Sequence, residues 1–444
     1  MAPNAIPYAV ESLDLFSGPF QQVQVEREYE VSYSPSVGMN ASSGGQLGQI
    51  VFDVHKTDAY IDLSNVALHA DIQIIKKDGT PITNEDKVSV INNILDSAFS
   101  DITVQFNGKS LVLSRHNYPF LAYICKLINF QHHVKKKFLK PFGWVADTTG
   151  HFDAQFTDDN ACLNQGLVDR RKMFADRPDG LEMITYLQIP LSNQAKYLVS
   201  GVDLKFTFTR STDAFMLMGA NNVNVDCKFI IRDMKLFITK IVPAFGVISS
   251  HHHVLNKGEH ISHFYKQAVL KTVHLHQGVN SYTHEFTESK LPVNCLVGIV
   301  TDAAAMGSGT LHPYKFSHHG LSYLSFYHDG ISYPNEPYQI DVAKGRYLRV
   351  YNALMKHINS SMQDDRYVGI SQEDFVDNCF LVPCDFAPLD DKNTTFSIPK
   401  SGNLKCELRF HRALPQAVSV LFFFTVEAAA YIDKDKNIIF DSPV

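Results

Sequence analysis

Hydrophobic and polar residues alternate over much of this chain, which is the pattern of strands with one buried and one solvent-facing side. The alternation predicts strands at residues 23–33, 50–54, 67–76 and 102–106. The last two run into Asp78-Gly79 and Asn107-Gly108, and such pairs tolerate positive φ and close hairpins. The chain is therefore predicted to be mainly antiparallel sheet.

Only two segments show the helical repeat, in which apolar residues recur every three or four positions. The first contains Phe120, Leu121, Ile124, Leu127 and Ile128, and the second contains Tyr347, Tyr351, Leu354, Met355 and Ile358. One predicted helix falls in each half of the chain.

The order of the elements also repeats between the halves. Residues 189–192, Gly201 and the strand 204–210 correspond to residues 398–401, Gly402 and the strand 404–410. Two more pairs keep this order. In the first, residues 106–108 lead through Tyr118-Pro119 into a helix, and residues 326–330 lead through Tyr333-Pro334 in the same way. The second pair consists of the closing strands 228–241 and 418–432. The spacing drifts, as expected when insertions fall in surface loops.

The 444 residues are too many for one ordinary core, which favours two or three domains. We expect an N-terminal arm at 1–20, rich in Pro, Gly and Ser, then a first β-sandwich at 21–243 and a second at 244–444. Each half also carries a long polar segment, which we call the first (135–179) and the second (359–395) connecting segment. Among sandwiches, jelly rolls accommodate such insertions well.

Composition narrows the possible functions. Hydrophobic content of 45% and charged content of 19% are typical of a folded globular protein. A formal net charge of −6 lacks the basic footprint of a protein that neutralises many phosphates, so no specific nucleic-acid partner is expected. The start of the chain has no signal-peptide pattern, and no stretch approaches the roughly 20 apolar residues of a membrane span. We therefore expect a soluble protein made in the cytosol.

The seven cysteines are odd in number and scattered, without a CxxC spacing. In a protein that is not secreted, such thiols are expected to be reduced and partly buried.

Enzymatic motifs are missing from the sequence. It contains no GxSxG, GxxxxGK[ST] or HExxH pattern, and Thr283-His284-Glu285 lies in a predicted strand. The pairs Asp158-Asp159 and Asp390-Asp391 are interpreted as turn residues, because the calcium loop pattern is absent. We predict no catalytic, cofactor-binding or metal-binding residues, and no cofactor.

The histidine-rich segment 251–263 is the strongest candidate for a metal site. His251, His252 and His253 are followed by His260 and His263. Adjacent residues of an extended chain point to opposite faces, so three consecutive imidazoles do not converge without a special turn. The pattern favours a solvated inter-domain loop, and we interpret His132-His133 and His318-His319 in the same way.

Several of these segments carry a family resemblance. Residues 11–16 (ESLDLF), 94–108 (ILDSAFSDITVQFNG), Tyr118-Pro119, 201–215 and 402–410 resemble the major capsid proteins of Polinton (Maverick) elements and adintoviruses. More distantly, they are similar to the capsid proteins of large DNA viruses such as iridoviruses.

The resemblance implies an all-β double jelly roll, in which two tandem eight-stranded sandwiches each carry one short helix and long loops. It further implies a homotrimer of pseudo-hexagonal outline that tiles an icosahedral virus shell, with penton and minor capsid proteins as partners. Assembly would take place in the host cytoplasm or nucleus. The arm 1–20 would then order only against other shell proteins.

Two other classes stay open at this point. A tandem β-sandwich could bind carbohydrate, although a single Trp among 444 residues and the lack of a secretion signal weigh against it. A β-rich hydrolase would need an acid–base pair that sequence alone does not reveal.

Overall fold

Strands account for most of the regular structure. The computed structural model describes residues 21–37, 48–112, 117–189, 191–192, 194–219, 226–287, 290–358, 367–387, 396–398 and 400–441. The arm 1–20, the Asp390-Asp391 pair, Pro190, Pro399 and residues 359–366 and 388–395 of the second connecting segment lie outside the described residues.

The strands of the described residues, in chain order, are β1 Val25–Tyr33, β2 Gln49–Val54, β3 Tyr60–Lys76, β4 Val88–Val90, β5 Phe99–Phe106, β6 Lys109–Val112, β7 Leu181–Tyr186, β8 Leu204–Arg210, β9 Leu217–Gly219, β10 Cys227–Pro243, β11 Ile261–Leu275, β12 Ser281–Phe286, β13 Asn294–Thr301, β14 Leu321–His328, β15 Ile331–Gln339, β16 Leu381–Asp385, β17 Leu404–Phe410, β18 Val418–Ile432 and β19 Ile438–Asp441. The helices are α1 Ile94–Ser97, α2 Tyr118–Asn129, α3 His132–Lys137, α4 Gln165–Ala175, α5 Asp213–Met216, α6 Phe245–Asn256, α7 Asp302–Met306, α8 Leu348–His357 and α9 Gln372–Asp377. Within these ranges, none of the helices combines the length and the apolar character needed to cross a bilayer.

The strands up to β10 form the first jelly roll. One four-stranded sheet has the order β1-β10-β3-β7 and the other has the order β2-β8-β5-β6, while β4 and β9 form a separate ribbon. Every one of these pairs is antiparallel. Apart from the β5–β6 hairpin and the β4–β9 ribbon, successive strands therefore alternate between the two sheets, which is the jelly-roll arrangement.

The later strands repeat this topology. Their sheets have the orders β11-β18-β13-β16 and β12-β17-β14-β15, and β19 adds to the far end of β18. Each strand of the second roll thus takes the sheet position of its counterpart in the first. The all-β prediction of two tandem jelly rolls is confirmed, whereas the boundary between residues 243 and 244 stays a prediction.

The strongest sequence landmark, 204–210 against 404–410, falls on β8 and β17. Both strands lie second in their sheets and are therefore equivalent. Their inward residues are buried: Leu204, Phe206 and Phe208 in β8, and Leu404, Cys406 and Leu408 in β17. The intervening Lys205 and Lys405 are exposed. The period-two pattern thus identified the core-facing side correctly.

The hairpins β5–β6 and β14–β15 are also equivalent. Each turns on two residues with positive φ, Asn107 and Gly108 in the first roll and Asp329 and Gly330 in the second. The register corrects the sequence match by two residues: Phe106 pairs with Leu204 and His328 pairs with Leu404. Phe106 therefore corresponds to His328 rather than to Phe326.

Both predicted helices are present, as α2 and α8. Tyr118-Pro119 opens α2 as expected, but Tyr333-Pro334 lies inside β15 and does not precede a helix. The reason is the length of the second hairpin, because β15 has 9 residues whereas β6 has 4. That landmark was matched wrongly.

The strand β18 is buried on both sides. Phe422 and Phe424 pack on Phe286 inside the second roll, each with ring centroids 5.0 Å apart. Phe423 faces the other way and is still only 5% exposed, because the first roll covers that side of the sheet near Leu421 and Phe120. The Phe422–Phe424 run is therefore a strand buried on both sides.

The edge strands carry features that discourage further pairing. Pro334 and Pro337 lie in β15, and Pro383 lies in β16; both strands are at the edges of their sheets. Proline has no N–H to offer a new strand. The edge strand β1 instead exposes Glu26, Glu28 and Glu30 along one side, and charged side chains have a similar effect.

Candidate functional site

The junction between the two rolls is built around Tyr314. This residue of the second roll is fully buried, and its ring stacks on Tyr123 of α2 with centroids 4.0 Å apart and planes at 9°. Its hydroxyl lies 2.5 Å from the Ser97 hydroxyl of α1. Burial raises the pKa of Tyr314. The junction is therefore a packed core shared by both rolls.

A buried group of three charged or titratable side chains lies beside it. The Arg170 guanidinium donates to Asp147 Oδ1 over 2.5 Å, to Val90 O over 2.8 Å and to Val145 O over 2.6 Å. His312 Nε2 lies 3.2 Å from Asp147 Oδ2. The charges of Arg170 and His312 hold the pKa of Asp147 below its usual range despite burial, which acts in the opposite direction. All three side chains are at most 2% exposed, which leaves no access for a substrate.

The first connecting segment packs on the second roll of its own chain. Asp153 accepts from His312 N over 2.8 Å and from Lys315 Nζ over 2.6 Å, and Thr149 donates to Asp374. Insertions at the end of a sandwich can also reach a neighbouring copy. Only its exposed residues, with Phe138 at 57% and Leu163 at 68% exposure, are left for such a role.

Two cavities lie between the halves. One of about 510 Å³ is lined by residues that include Tyr123, Lys135, Trp144 and Asp374. Burial lowers the pKa of Lys135 to about 8, and its ammonium donates to Leu127 O over 2.8 Å. The other, of about 550 Å³, lies between α2 and the sheet of β11 and β18. No group of three His, Cys, Asp or Glu side chains in the described part of the chain is placed to hold a metal ion.

The histidine-rich segment does not form the expected loop. His251, His252 and His253 belong to α6, in which consecutive side chains are about 100° apart and again do not converge. The His251 ring lies 2.9 Å from the Tyr60 hydroxyl, whereas His263 is buried in β11. The interpretation as a loop was wrong, and the absence of a metal site stays a prediction.

The remaining candidate pairs are separate from one another. Asp158 accepts from Lys87 over 2.7 Å at the surface, and His318 Nδ1 accepts from the backbone N–H of Gly320. His132 and His133 begin α3, so their interpretation as a loop was also wrong. Thr283-His284-Glu285 lies in β12, as predicted. The expectation that the chain has no catalytic or cofactor-binding residues stays a prediction.

Two buried histidines should make the protein sensitive to mild acid. Burial, reinforced by nearby positive charge, lowers the pKa of His263 and of His319 to about 4. Since an unfolded histidine titrates near 6.5, the unfolded chain binds more protons between pH 6.5 and 4. Stability should therefore be constant above pH 6.5 and fall as the pH decreases to 4, by about 3 kcal/mol per histidine. Denaturant unfolding at pH 7 and 4.5 measures this loss, which His263→Gln should reduce by about 2 kcal/mol. The exposed His133→Gln is the matched control and should behave as the unaltered protein does.

The seven cysteines are free thiols, six of them buried and Cys162 half-buried. Burial raises the pKa of Cys125 and of Cys379 to about 12 and that of Cys227 to about 11. Because the thiolate is the reactive form, a short iodoacetamide pulse at neutral pH should label Cys162 first, and all seven should react after denaturation. Peptide mass spectrometry measures which cysteines are labelled in the native and in the denatured protein. Equal labelling of native Cys125 and Cys162 would contradict the buried arrangement.

Contacts within the chain show how the first roll packs against the second. The hairpin β5–β6 of the first roll touches the segment that follows β18 in the second. Asn107 donates to Lys436 O over 2.7 Å and Lys109 donates to Ile438 O over 2.8 Å, while the rings of Phe106 and Phe440 are 5.7 Å apart.

Two residues next to the counterparts of these elements, Ile331 and Phe245, are exposed and apolar. Ile331 follows the turn of β14–β15 just as Lys109 follows the turn of β5–β6, because it pairs with His328 as Lys109 pairs with Phe106. Phe245 follows β10, the counterpart of β18. Ile331 is 57% and Phe245 is 79% exposed. Both side chains are therefore free to contact another molecule.

No family model matches the chain, and no curated protein matches its sequence. Solved structures do match it. A chain of the Sputnik virophage has a TM-score of 0.61 at 10% identity, covering 99% of this chain and 94% of that one. The mavirus major capsid protein gives 0.53 at 12% identity, covering 99% and 96%. The Faustovirus major capsid protein gives 0.55 at 8% identity, covering 94% and 92%. The chain therefore has the double jelly-roll fold of these viral capsid proteins.

Proposed function

We propose that this chain is a structural, non-enzymatic major capsid protein that forms homotrimers and tiles an icosahedral virus shell. The observation that carries the proposal is the double jelly roll itself, which matches capsid proteins from end to end. A shell subunit needs surfaces that bind copies of itself, and the buried charged residues of this chain offer no accessible reaction centre.

The contact between rolls supports a trimer. Three copies of a chain with two rolls give six rolls in a ring. If the in-chain contact is repeated between chains, the β14–β15 hairpin of one copy lies against the segment after β10 of the next. This is a head-to-tail contact that closes under threefold symmetry, and each copy uses two different patches. Ile331 and Phe245 would then be buried against the neighbouring copy.

The finer assignments are part of the same proposal. They are the division of the chain into an arm at 1–20 and rolls at 21–243 and 244–444, the Polinton or adintovirus type, and penton and minor capsid partners. Synthesis in the host cytosol, assembly in cytoplasm or nucleus, and a place in the virion capsid also belong here. The resemblance of segments such as 94–108 and 402–410 supports them.

Size-exclusion chromatography with light scattering on the full-length protein tests the proposal, followed by electron microscopy of expressing cells. A stable trimer of hexagonal outline and shell-like particles are expected. A monomer at high concentration, with no particles, would refute the capsid proposal. If that monomer also bound members of a glycan array, the carbohydrate-binding alternative would replace it.

A further inference from the structure

We propose that Lys126 and Asn93 form an intramolecular amide cross-link, with Asp96 carrying the proton. Lys126 Nζ lies 2.8 Å from Asn93 Oδ1 and 2.5 Å from Asp96 Oδ2. The three side chains come from neighbouring elements, since Asn93 immediately precedes α1, Asp96 lies within it and Lys126 lies in α2. An amine, a carboxamide and a carboxylic acid in mutual contact are the groups that such a cross-link requires.

Burial removes water from the site. Lys126 is 2%, Asp96 is 1% and Asn93 is 0% exposed, and the ammonium lies 6.0 Å from the centre of the Phe142 ring. In such surroundings both groups lose their hydration, and Asp96, in direct contact with the ammonium, is the base that can take its proton during the reaction. A desolvated neutral lysine is a nucleophile.

Surrounding hydrogen bonds fix the orientation of the reacting groups. The Thr185 hydroxyl lies 3.0 Å from Lys126 Nζ and 3.2 Å from Asp96 Oδ1, and the Tyr118 hydroxyl donates to the same carboxyl oxygen over 3.4 Å. Because Lys126 can only donate in its charged form, its contact with Asn93 Oδ1 sets the orientation of the amide. Held in this way, the amine pays little entropy to reach the adjacent carbon.

The leaving group is free to depart. Asn93 Nδ2 is buried and has no hydrogen-bond partner among the described residues, an arrangement that costs free energy in a folded protein. Asn93 also has a left-handed backbone, with φ of 56° and ψ of 43°, which orients its side chain toward α2. Loss of the amide nitrogen would remove the unpaired group.

The reaction balances without an oxidant or a cofactor. Asp96 takes a proton from the Lys126 ammonium. The lone pair of Nζ then attacks Cγ of Asn93, and Asp96 protonates Oδ1 of the tetrahedral adduct. The cationic Nζ of the adduct returns one proton to Asp96, and the Oδ1 hydroxyl proton passes to Nδ2 as the carbonyl re-forms, so the C–Nδ2 bond breaks and ammonia leaves. The product is an amide between Lys126 Nζ and Asn93 Cγ that keeps one N–H, and Asp96 holds the remaining proton.

The decisive measurement is the intact mass of the unaltered full-length protein under denaturing conditions, after incubation at neutral pH. We expect most chains to be lighter than the sequence mass by one ammonia. Peptide mapping should find the peptide with Lys126 joined to the peptide with Asn93. If the mass after prolonged incubation still equalled the mass calculated from the sequence, the proposal would be overturned. This measurement requires no variant.

Two variants separate this cross-link from other losses. Lys126→Arg keeps the positive charge but should retain the full mass. If the peptide that contains Asn93 still lost ammonia in this variant, the cause would be cyclisation of Asn93 on its own backbone, which would overturn the proposal. Asn93→Asp should lose water in place of ammonia. A loss of water from the unaltered protein, with Lys126 joined to Asp96, would show that we have assigned the wrong acceptor.

Discussion

Replacing Phe245 by Glu is expected to convert the proposed trimer into monomers. Phe245 is 79% exposed in the single chain and follows β10, where the in-chain contact between rolls predicts the hairpin of a neighbour. An apolar anchor at the centre of an interface contributes about 2 kcal/mol or more, and a buried carboxylate adds a desolvation cost. Since the ring contains this contact three times, we expect light scattering to report the mass of one chain.

Val254→Glu is the matched control. Val254 is 49% exposed and lies on the same helix, nine residues later, which places it on the opposite side of α6. It should leave the trimer intact. If both variants stayed trimeric, Phe245 would not lie in the interface.

A mixing experiment tests the head-to-tail geometry. Ile331→Glu should alter the other half of the contact and also give monomers. A mixture of the two variants retains one unaltered contact, formed by Ile331 of the Phe245→Glu chain and Phe245 of the Ile331→Glu chain. Dimers should therefore form, but no trimers. A mixture that stayed monomeric would mean that the two residues do not meet across the interface.

Replacing Asp147 by Asn should lower the free energy of unfolding more than any other single substitution of a polar residue discussed above. Asn keeps the shape of Asp147 but leaves the Arg170 guanidinium, 2% exposed, without a counter-charge. Removing one partner of a buried ion pair typically costs about 3–5 kcal/mol. Guanidinium-induced unfolding at pH 7 measures the change.

Asp158→Asn provides the comparison within the same connecting segment. Asp158 pairs with Lys87 at the surface, and an exposed pair contributes about 1 kcal/mol or less. The same reasoning gives the pH dependence. Because the pKa of Asp147 is depressed in the folded chain, its contribution is present above the unfolded value near 3.9 and is lost as the pH falls further. If Asp147→Asn and Asp158→Asn lowered the free energy of unfolding by similar amounts, the buried group of Asp147, Arg170 and His312 would not be a major contributor to stability.

Period-two patterns and turn residues predicted the fold well. Strands such as β8 and β17 show their inward side in the sequence, and the Asn107-Gly108 turn marks its hairpin directly. The same local reasoning failed at Tyr333-Pro334, because a dipeptide does not reveal how far a hairpin extends beyond it.

The helices α4 and α6 were missed for opposite reasons. The inward side of α4 includes the buried Arg170 and Arg171, so burial there does not follow hydrophobicity; the one signal was Asn164, whose side chain accepts from Leu167 N as an N-cap. The helix α6 buries only Leu255, so nothing imposes a periodic apolar pattern on it.

The buried group of Asp147, Arg170 and His312 was also missed. His312 lies far along the chain from the other two residues, and no spacing rule connects them. Only the three-dimensional path of the first connecting segment brings them together.

The prolines of β15 and β16 have a consequence for how the protein behaves while it accumulates. A shell needs many copies in one place before any closes into a particle, and β-rich chains at high concentration tend to join edge to edge into fibres. Pro334 and Pro337 withhold backbone N–H groups at the open margin formed by β15, and Pro383 does so in β16, whose edge is already buried against α8. For the proposed shell, these prolines disfavour edge-to-edge polymerisation while newly made chains accumulate, and they leave assembly to contacts between side chains.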